Sequence, residues 1–294
     1  MTVWIGWPGV FWGAVPDPAP GVVATLERPS GEHTTLSGSR TVDFAGFGRR
    51  SFRFTWERLT PAEYAVLEAT FTGSNGVGPW MLATDDTPWN YLTSGQASAT
   101  AATGDTTGWT VATGETLTSA YLTSAPTPRS FAALGWSLPN PTTSGRLTAV
   151  FPGNLSGWPA VPGVTWTFTV LMRTETATTL TASVALSWLD DGYQPLSTTL
   201  GASLPVTAAG WVTLTASATP PDGALAVVPE VRVTPATVTA PTVVYLDAPR
   251  FELGIPSGFW LPGRGLPLVS MTALTDRYPW ADCHDADATF LEVG

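Results

Sequence analysis

The sequence has no lysine, one cysteine, two histidines and few charges of any kind. All 13 basic residues are therefore arginine, and 23 acidic residues leave a net charge of −10. That balance argues against the Lys/Arg phosphate neutralisation on which nucleic-acid binding depends, and it makes anionic membrane surfaces equally poor partners. The missing lysine itself carries no functional reading, since a GC-rich genome produces the same bias. The single cysteine, Cys283, excludes an intrachain disulfide framework and suits folding in a reducing cytoplasm. Long apolar runs are also lacking. The opening MTVWIGWPGVFWGAVPDPAP is interrupted by Pro8 and has no basic region ahead of it, so neither a membrane span nor a standard secretion signal is expected.

What the chain does contain points to β structure. Its 294 residues, 44% of them hydrophobic, suffice for two packed domains, while 29 Gly and 27 Pro leave little room for long helices. In RSFRFTWERL, Phe52, Phe54 and Trp56 alternate with Arg53, Thr55 and Glu57, the period of a strand buried on one face. LTPAEYAVLEATFTG predicts one helix: Thr60 caps it, Pro61 takes the first position, Glu63 closes a capping box and Gly73 ends it. Tyr64, Leu67, Glu68 and Phe71 share the face expected to dock on a sheet.

From about residue 93 the composition shifts to Thr, Ser, Ala and Gly, with five Arg against nine carboxylates over residues 93–253. RLTAVF, VTWTFTVLMRT, TLTASVALSW, GWVTLTASAT and TVVYLDAPRFEL follow as strands separated by turns, the pattern of a β-sandwich or jelly roll. In TWTFTV the threonines are expected on one face and Trp166, Phe168 and Val170 on the other. After Gly254 the earlier style returns, with strands near residues 267–274 and 288–293. So short a tail cannot bury a core alone and is expected to complete the sheet begun before residue 92. The expected fold is mainly β: a discontinuous domain of residues 1–92 and 254–294 carrying one helix, and an inserted jelly roll of residues 93–253.

These phrases carry a resemblance. RRSFRFTWERL, TPAEYAVLEATF and GPWMLATDDTPWNYL together resemble the amino-terminal part of distal tail or minor tail proteins of long-tailed actinobacterial phages, and GFWLPGRGLPLVSM resembles the return into that domain. The middle is similar to galactose-binding-like jelly rolls of the carbohydrate-binding-module type, in TWTFTVLMR, SWLDDG, AAGWVTLTASATPP and VVYLDAPRFELG. The resemblance implies a tail-tube-like β-sandwich or barrel with an inserted jelly roll. It implies a structural virion protein, made in the host cytoplasm, that forms a hexameric ring at the tail tip. Its partners would be the tail tube, the hub and the tape-measure protein, with the insert projecting toward host cell-wall glycan. Six acidic subunits around a channel would also repel DNA, as a conduit requires. The resemblance further implies that Asp247, in YLDAPRFE, helps to hold a structural calcium; it implies no other cofactor.

Residues that could carry chemistry are few. His33, in PSGEHTTLSG, fits a surface or interface loop. Cys283 and His284 stand among Asp282, Asp285 and Asp287, but neighbours in an extended segment point to opposite faces and a second ligand pair is missing, so an acidic turn is expected there rather than a zinc site. Asp85–Asp86 and Asp190–Asp191 precede the turn signals DDTP and DDGY, and sequence neighbours rarely reach the ~5 to ~9 Å separation of glycosidase acids. No enzyme is expected. Trp166, Trp188 and Trp211 read as core. Trp136, Trp158 and Tyr193 lie beside Pro, Gly or Asn in apparent loops, where they stack on sugar rings, anchor the loops or meet a neighbouring subunit. Trp4, Trp7, Phe11 and Trp12, crowded into WIGWPGVFWGAV, suit a subunit interface as well as a core. Two other functions stay open: a stand-alone carbohydrate-binding protein, which leaves the capped helix without a purpose, and a tail-associated glycan hydrolase, for which no acid pair or triad is recognisable.

Overall fold

The structure, a computed structural model, describes residues 3–7, 11–27, 30–34, 40–44, 49–84, 89–98, 108–111, 114–120, 128, 133–139, 144–151, 156–176, 179–235, 241–254 and 256–293. The chain opens with β1 (Val3–Trp7), β2 (Phe11–Val15), β3 (Val23–Glu27), β4 (Ser30–Thr34), β5 (Arg40–Phe44), β6 (Arg49–Leu59), α1 (Pro61–Thr72) and β7 (Trp80–Thr84). It continues through α2 (Ser94–Ser98), β8 (Trp109–Val111), β9 (Thr116–Ala120), β10 (Ala133–Leu138), β11 (Gly145–Ala149), β12 (Trp158–Pro159), β13 (Trp166–Thr174) and β14 (Leu180–Leu189). The remaining strands are β15 (Pro195–Leu200), β16 (Leu204–Val206), β17 (Val212–Ala218), β18 (Ala226–Pro235), β19 (Thr242–Leu253), β20 (Leu268–Trp280) and β21 (Cys283–Glu292). They form two compact units, Met1–Asp86 with Pro267–Gly294, and Thr87–Leu266. No helix among the described residues is long and apolar enough to cross a membrane.

The first unit is a seven-stranded antiparallel sheet in the order β2-β1-β7-β20-β21-β6-β3, beside which β4 and β5 pair as a hairpin. Phe52, Phe54 and Trp56 of β6 are buried while Arg53, Thr55 and Glu57 are exposed, as the alternation demands. Phe54 meets Phe290 of the neighbouring β21 edge-on at 5.6 Å, and the Trp56 indole donates to the carbonyl of Pro16, just after β2, at 2.6 Å. Across the outer end of the sheet, Arg50 donates to Glu292 from its backbone N–H and from Nε and Nη2, fastening β6 to the end of β21. Strands β20 and β21 run longer than expected, to the turn at Asp282, whose φ of 63° lies in the left-handed region.

Helix α1 forms where its signals stand. The Thr60 hydroxyl accepts from the Glu63 N–H at 3.3 Å and the Glu63 carboxylate accepts from the Thr60 N–H at 2.8 Å, while Gly73 closes the C-terminus at φ 78°. The docking face differs from the expected stripe: Leu67 and Thr70 are buried, whereas Phe71 is 45% exposed. Thr70 can replace an apolar residue there because its hydroxyl donates back to the Val66 carbonyl at 2.8 Å, which removes the cost of burying it. Thr60→Ala removes one capping acceptor, and a loss of about 1 kcal/mol is expected in the unfolding of the first unit, read from urea melts.

The second unit is a sandwich of two antiparallel sheets. One has the order β17-β13-β19-β10-β9; the other runs β15-β14-β18-β11-β8, with β12 added to β18 and β16 to β14. Between them lie Trp166, Phe168 and Val170 of β13, Phe251 of β19, Val184, Leu186 and Trp188 of β14 and Val231 of β18, all fully buried. Trp166 stacks on Phe251 of the neighbouring strand at 4.3 Å, and across the sandwich Phe168 meets Trp109 of the opposite sheet at 6.4 Å. Strand β13 carries Thr167 and Thr169 on one face and Trp166, Phe168 and Val170 on the other, as expected, and the threonine face is buried as well. Thr167 and Thr169 are covered because their hydroxyls bond to Ser217 and Thr215 of β17 at 2.9 and 3.2 Å. Trp211, expected in the core, is only partly buried.

The unit boundaries also differ from the expected 92 and 254. Trp89, Asn90, Tyr91 and Leu92, together with the segment up to Leu266, belong to the second unit. The reason is Asn90, which is fully buried. Its amide donates to the carbonyls of Pro249 and Leu261, and its carbonyl accepts from the N–H groups of Leu92 and Phe251. Gly263 completes the knot, since a Cβ there would meet the Thr93 carbonyl oxygen at 2.1 Å.

Candidate functional site

A groove crosses the outer face of the β15-β14-β18-β11-β8 sheet, and register alone explains its lining. Residues opposite one another in antiparallel strands share a face. One row therefore consists of Ser183, Arg232 and Arg146, and the next of Ala185, Glu230, Thr148 and Thr110. A third row carries Thr198, Ser187 and Val228. The intervening residues, Val227, Val231, Val233 and Leu147, point into the sandwich and are buried. The resulting groove is about 360 Å³, hydroxylic and charged, with Leu189, Phe151 and Pro195 also in its lining.

Glu230 is the electrostatic centre of this face and is only 1% exposed. Its Oε1 lies 3.0 Å from Arg146 Nη2, and its Oε2 accepts from Arg232 Nε at 3.0 Å and Nη2 at 2.9 Å. Arg146 also donates through Nε to the Thr148 hydroxyl at 3.3 Å. A buried carboxylate held by two guanidinium groups is compensated and rigid, and it presents the remaining N–H groups of both arginines toward the groove. Hydroxyls and guanidinium donors over a part-apolar floor can hydrogen-bond a polar ligand, and the volume lies within the roughly 300–1,000 Å³ typical of small-molecule sites.

No protein-family model matches the sequence, and no curated protein does. Among solved structures, the arabinose-bound α-L-arabinofuranosidase MgGH51 is similar over 58% of this chain and 27% of that one, at 12% identity and a TM-score of 0.44. The CBM22-1 xylan-binding domain of Paenibacillus barcinonensis Xyn10C is similar over 58% of this chain and 97% of that one, at 12% identity and a TM-score of 0.40. The enzymatically active domain of tailspike protein 4 of bacteriophage CBA120 is similar over 56% of this chain and 21% of that one, at 14% identity and a TM-score of 0.39. The chain thus spans about a quarter of the arabinofuranosidase and a fifth of the tailspike domain. The strand order and register described above, rather than these likenesses, define the sandwich.

The aromatic residues singled out in the sequence divide. Trp136 and Trp158 are fully buried and offer no face to a sugar. Their indoles are committed inside, Trp136 Nε1 donating to Glu115 at 2.8 Å and Trp158 Nε1 to the Tyr91 carbonyl at 2.9 Å. Tyr193 is different: it is half-buried, its φ is 57°, and it packs on Leu189, Ala226 and Val228 at the end of the groove. The turn that holds it forms because Asp190 Oδ1 accepts from the N–H groups of Gly192 and Gln194, which accounts for the DDGY signal. Asp85 and Asp86 lie outside the described residues.

Trp4 is 5% exposed within the first unit, between β2 and β7, and so fills that core rather than offering itself to a partner. The side chains of Trp7, Phe11, Trp12 and His33 lie outside the described residues. Asp247 is fully buried in β19, opposite Leu171. Among the described residues no three His, Cys, Asp or Glu side chains cluster to hold a metal.

A second hollow of about 140 Å³ lies on the outer face of the other sheet, between Thr169, Thr213, Arg250, Phe259 and Trp260. Arg250 Nη1 there donates to the Ser257 hydroxyl and the Phe259 carbonyl, so its guanidinium is bound up by the neighbouring loop.

In the first unit, His284 is stacked on Tyr64 at 4.3 Å, with Tyr278 4.8 Å away and Asp276 Oδ1 3.1 Å from Nδ1. Burial raises the Asp276 carboxyl, but bonds from Tyr278, His284 and Tyr64 outweigh it and hold it below its ordinary 3.8. Burial first, and the Asp276 charge next, push the Tyr64 hydroxyl up to about 12. A carboxyl held low when folded stabilises the fold above its unfolded value and loses that contribution as pH falls through the folded one. The melting temperature of the first unit is therefore expected to fall below about pH 4, and Asp276→Asn to flatten that acid arm.

Proposed function

We propose that this chain is a non-enzymatic, glycan-binding component of a phage tail tip. The second unit binds host cell-wall glycan in the groove over β8, β11, β14, β15 and β18, and the discontinuous first unit assembles as a hexameric ring on the tail tube. The observation that carries the glycan reading is the groove's chemistry: rows of Thr and Ser hydroxyls beside two arginines locked by a buried glutamate. The tail-tip reading draws support from the order of the phrases in residues 1–92 and 254–294. Binding without hydrolysis is the reading the lining supports, since Glu230 is its one carboxylate among the described residues and acid-pair hydrolysis takes two.

Electrophoresis through gels containing soluble xylan, arabinan, galactan or polygalacturonate tests the groove. Retardation by at least one polymer is expected, and Thr148→Trp, which fills the central row, is expected to abolish it while the melting temperature stays within a few degrees. Retardation unchanged by Thr148→Trp would move the site elsewhere. For the ring, negative-stain class averages should show closed six-fold particles with an open centre; isolated two-lobed particles would count against self-assembly.

A further inference from the structure

Cross-strand register places Arg146 directly opposite Arg232. Two like charges in that position destabilise a strand pair. Glu230 relieves the pair by bridging both guanidinium groups, yet one carboxylate cannot balance two cations. Among the described residues the charged groups lining the groove are these three, which together carry a net charge of +1 in a chain whose net charge is −10. Arg146 is 60% exposed and Arg232 33%, and Nη1 of each carries no hydrogen-bond partner among the described residues. Both Nη1 groups belong to the row beside the hydroxyls of Thr148 and Thr110. An anion on a sugar ring would complete the charge balance that Glu230 leaves unfinished, and its ring hydroxyls would reach the threonine row.

We propose that the groove selects an anionic glycan, its carboxylate or phosphate seated against Arg146 and Arg232. The proposal rests on reading the groove as a glycan site. Isothermal titration with polygalacturonate, its methyl ester, a phosphomannan and polyacrylate tests it, for the native chain, Arg146→Ala and Thr148→Trp. Because a hydrogen bond to a charged group is worth about a factor of ten or more, polygalacturonate or phosphomannan is expected to bind at least tenfold tighter than the uncharged ester. Arg146→Ala is expected to remove most of that difference, and whichever polyanion binds tighter identifies carboxylate or phosphate as the anion. Equal affinity for the acid and its ester would overturn the anion proposal and leave the glycan groove standing. Polyacrylate binding as tightly as the sugar polymers would overturn it as well, since charge alone would then suffice. If no polymer binds, or if Thr148→Trp binds them all unchanged, the groove reading itself fails.

Discussion

Asn90→Ala is expected to cost the second unit on the order of 4 kcal/mol, because four backbone groups, three of them in buried bonds, lose their partner at once and each orphan costs about 1–3 kcal/mol before relaxation. The amide uses its whole bonding capacity: two donors to the carbonyls of Pro249 and Leu261, and one oxygen shared by the N–H groups of Leu92 and Phe251. No other side chain can supply that pattern from the same position. Asn90→Asp is the sharper variant. It keeps the acceptor, loses both donors and buries a carboxylate, whose desolvation raises its folded value above the unfolded one. Its stability is therefore expected to improve as pH falls from 7 toward 5, opposite to the Asp276 arm of the first unit. Calorimetry resolving the two units reads both effects; a loss below about 1 kcal/mol for Asn90→Ala would mean that a backbone shift re-pairs these groups.

Trp158→Ala is the second large effect, expected at about 3–5 kcal/mol, or roughly 6–20 °C for a unit of this size. The indole lies between Phe151 at 5.2 Å and Phe251 at 5.4 Å, both edge-on, and its N–H is the partner of the Tyr91 carbonyl. Truncation leaves a cavity and an orphaned carbonyl together. Trp158→Phe should recover part of the packing but not the hydrogen bond, and so fall between. A surface aromatic would cost little, so near-neutral Trp158→Ala would return this residue to the loop roles its sequence context leaves open.

That context explains what was legible. Strand β6 and helix α1 are governed by local rules, alternation and a capping box, and both stand where the sequence puts them. Trp158 misleads because GWPAVP reads as a loop, whereas Trp158 and Pro159 pair with Val227 and Ala226 and so enter the core. Trp136 misleads in the same way: Pro and Asn follow it, yet it sits inside β10 with neighbours on both sides. Asn90 reveals little locally, since all its partners but Leu92 lie about 160–170 positions away.

The groove is assembled from five strands between Thr110 and Arg232, and only register aligns them. One local signal exists. In PEVRV, Glu230 and Arg232 alternate with valines, two of the rare charges of this segment placed on one face of a buried strand. Charge at period two within a core strand marks a sheet face that does something other than shed water.

The account turns on where a glycan sits. Titrating the isotope-labelled protein with hexagalacturonate and with xylohexaose, while following backbone amide shifts, locates the contact directly. For whichever oligosaccharide binds, the largest shifts are predicted at β11, β14 and β18 around Arg146, Ser187 and Glu230, with Tyr193 responding at the groove's end. Shifts confined to the hollow beside Phe259 and Trp260, or none with either sugar, would contradict it.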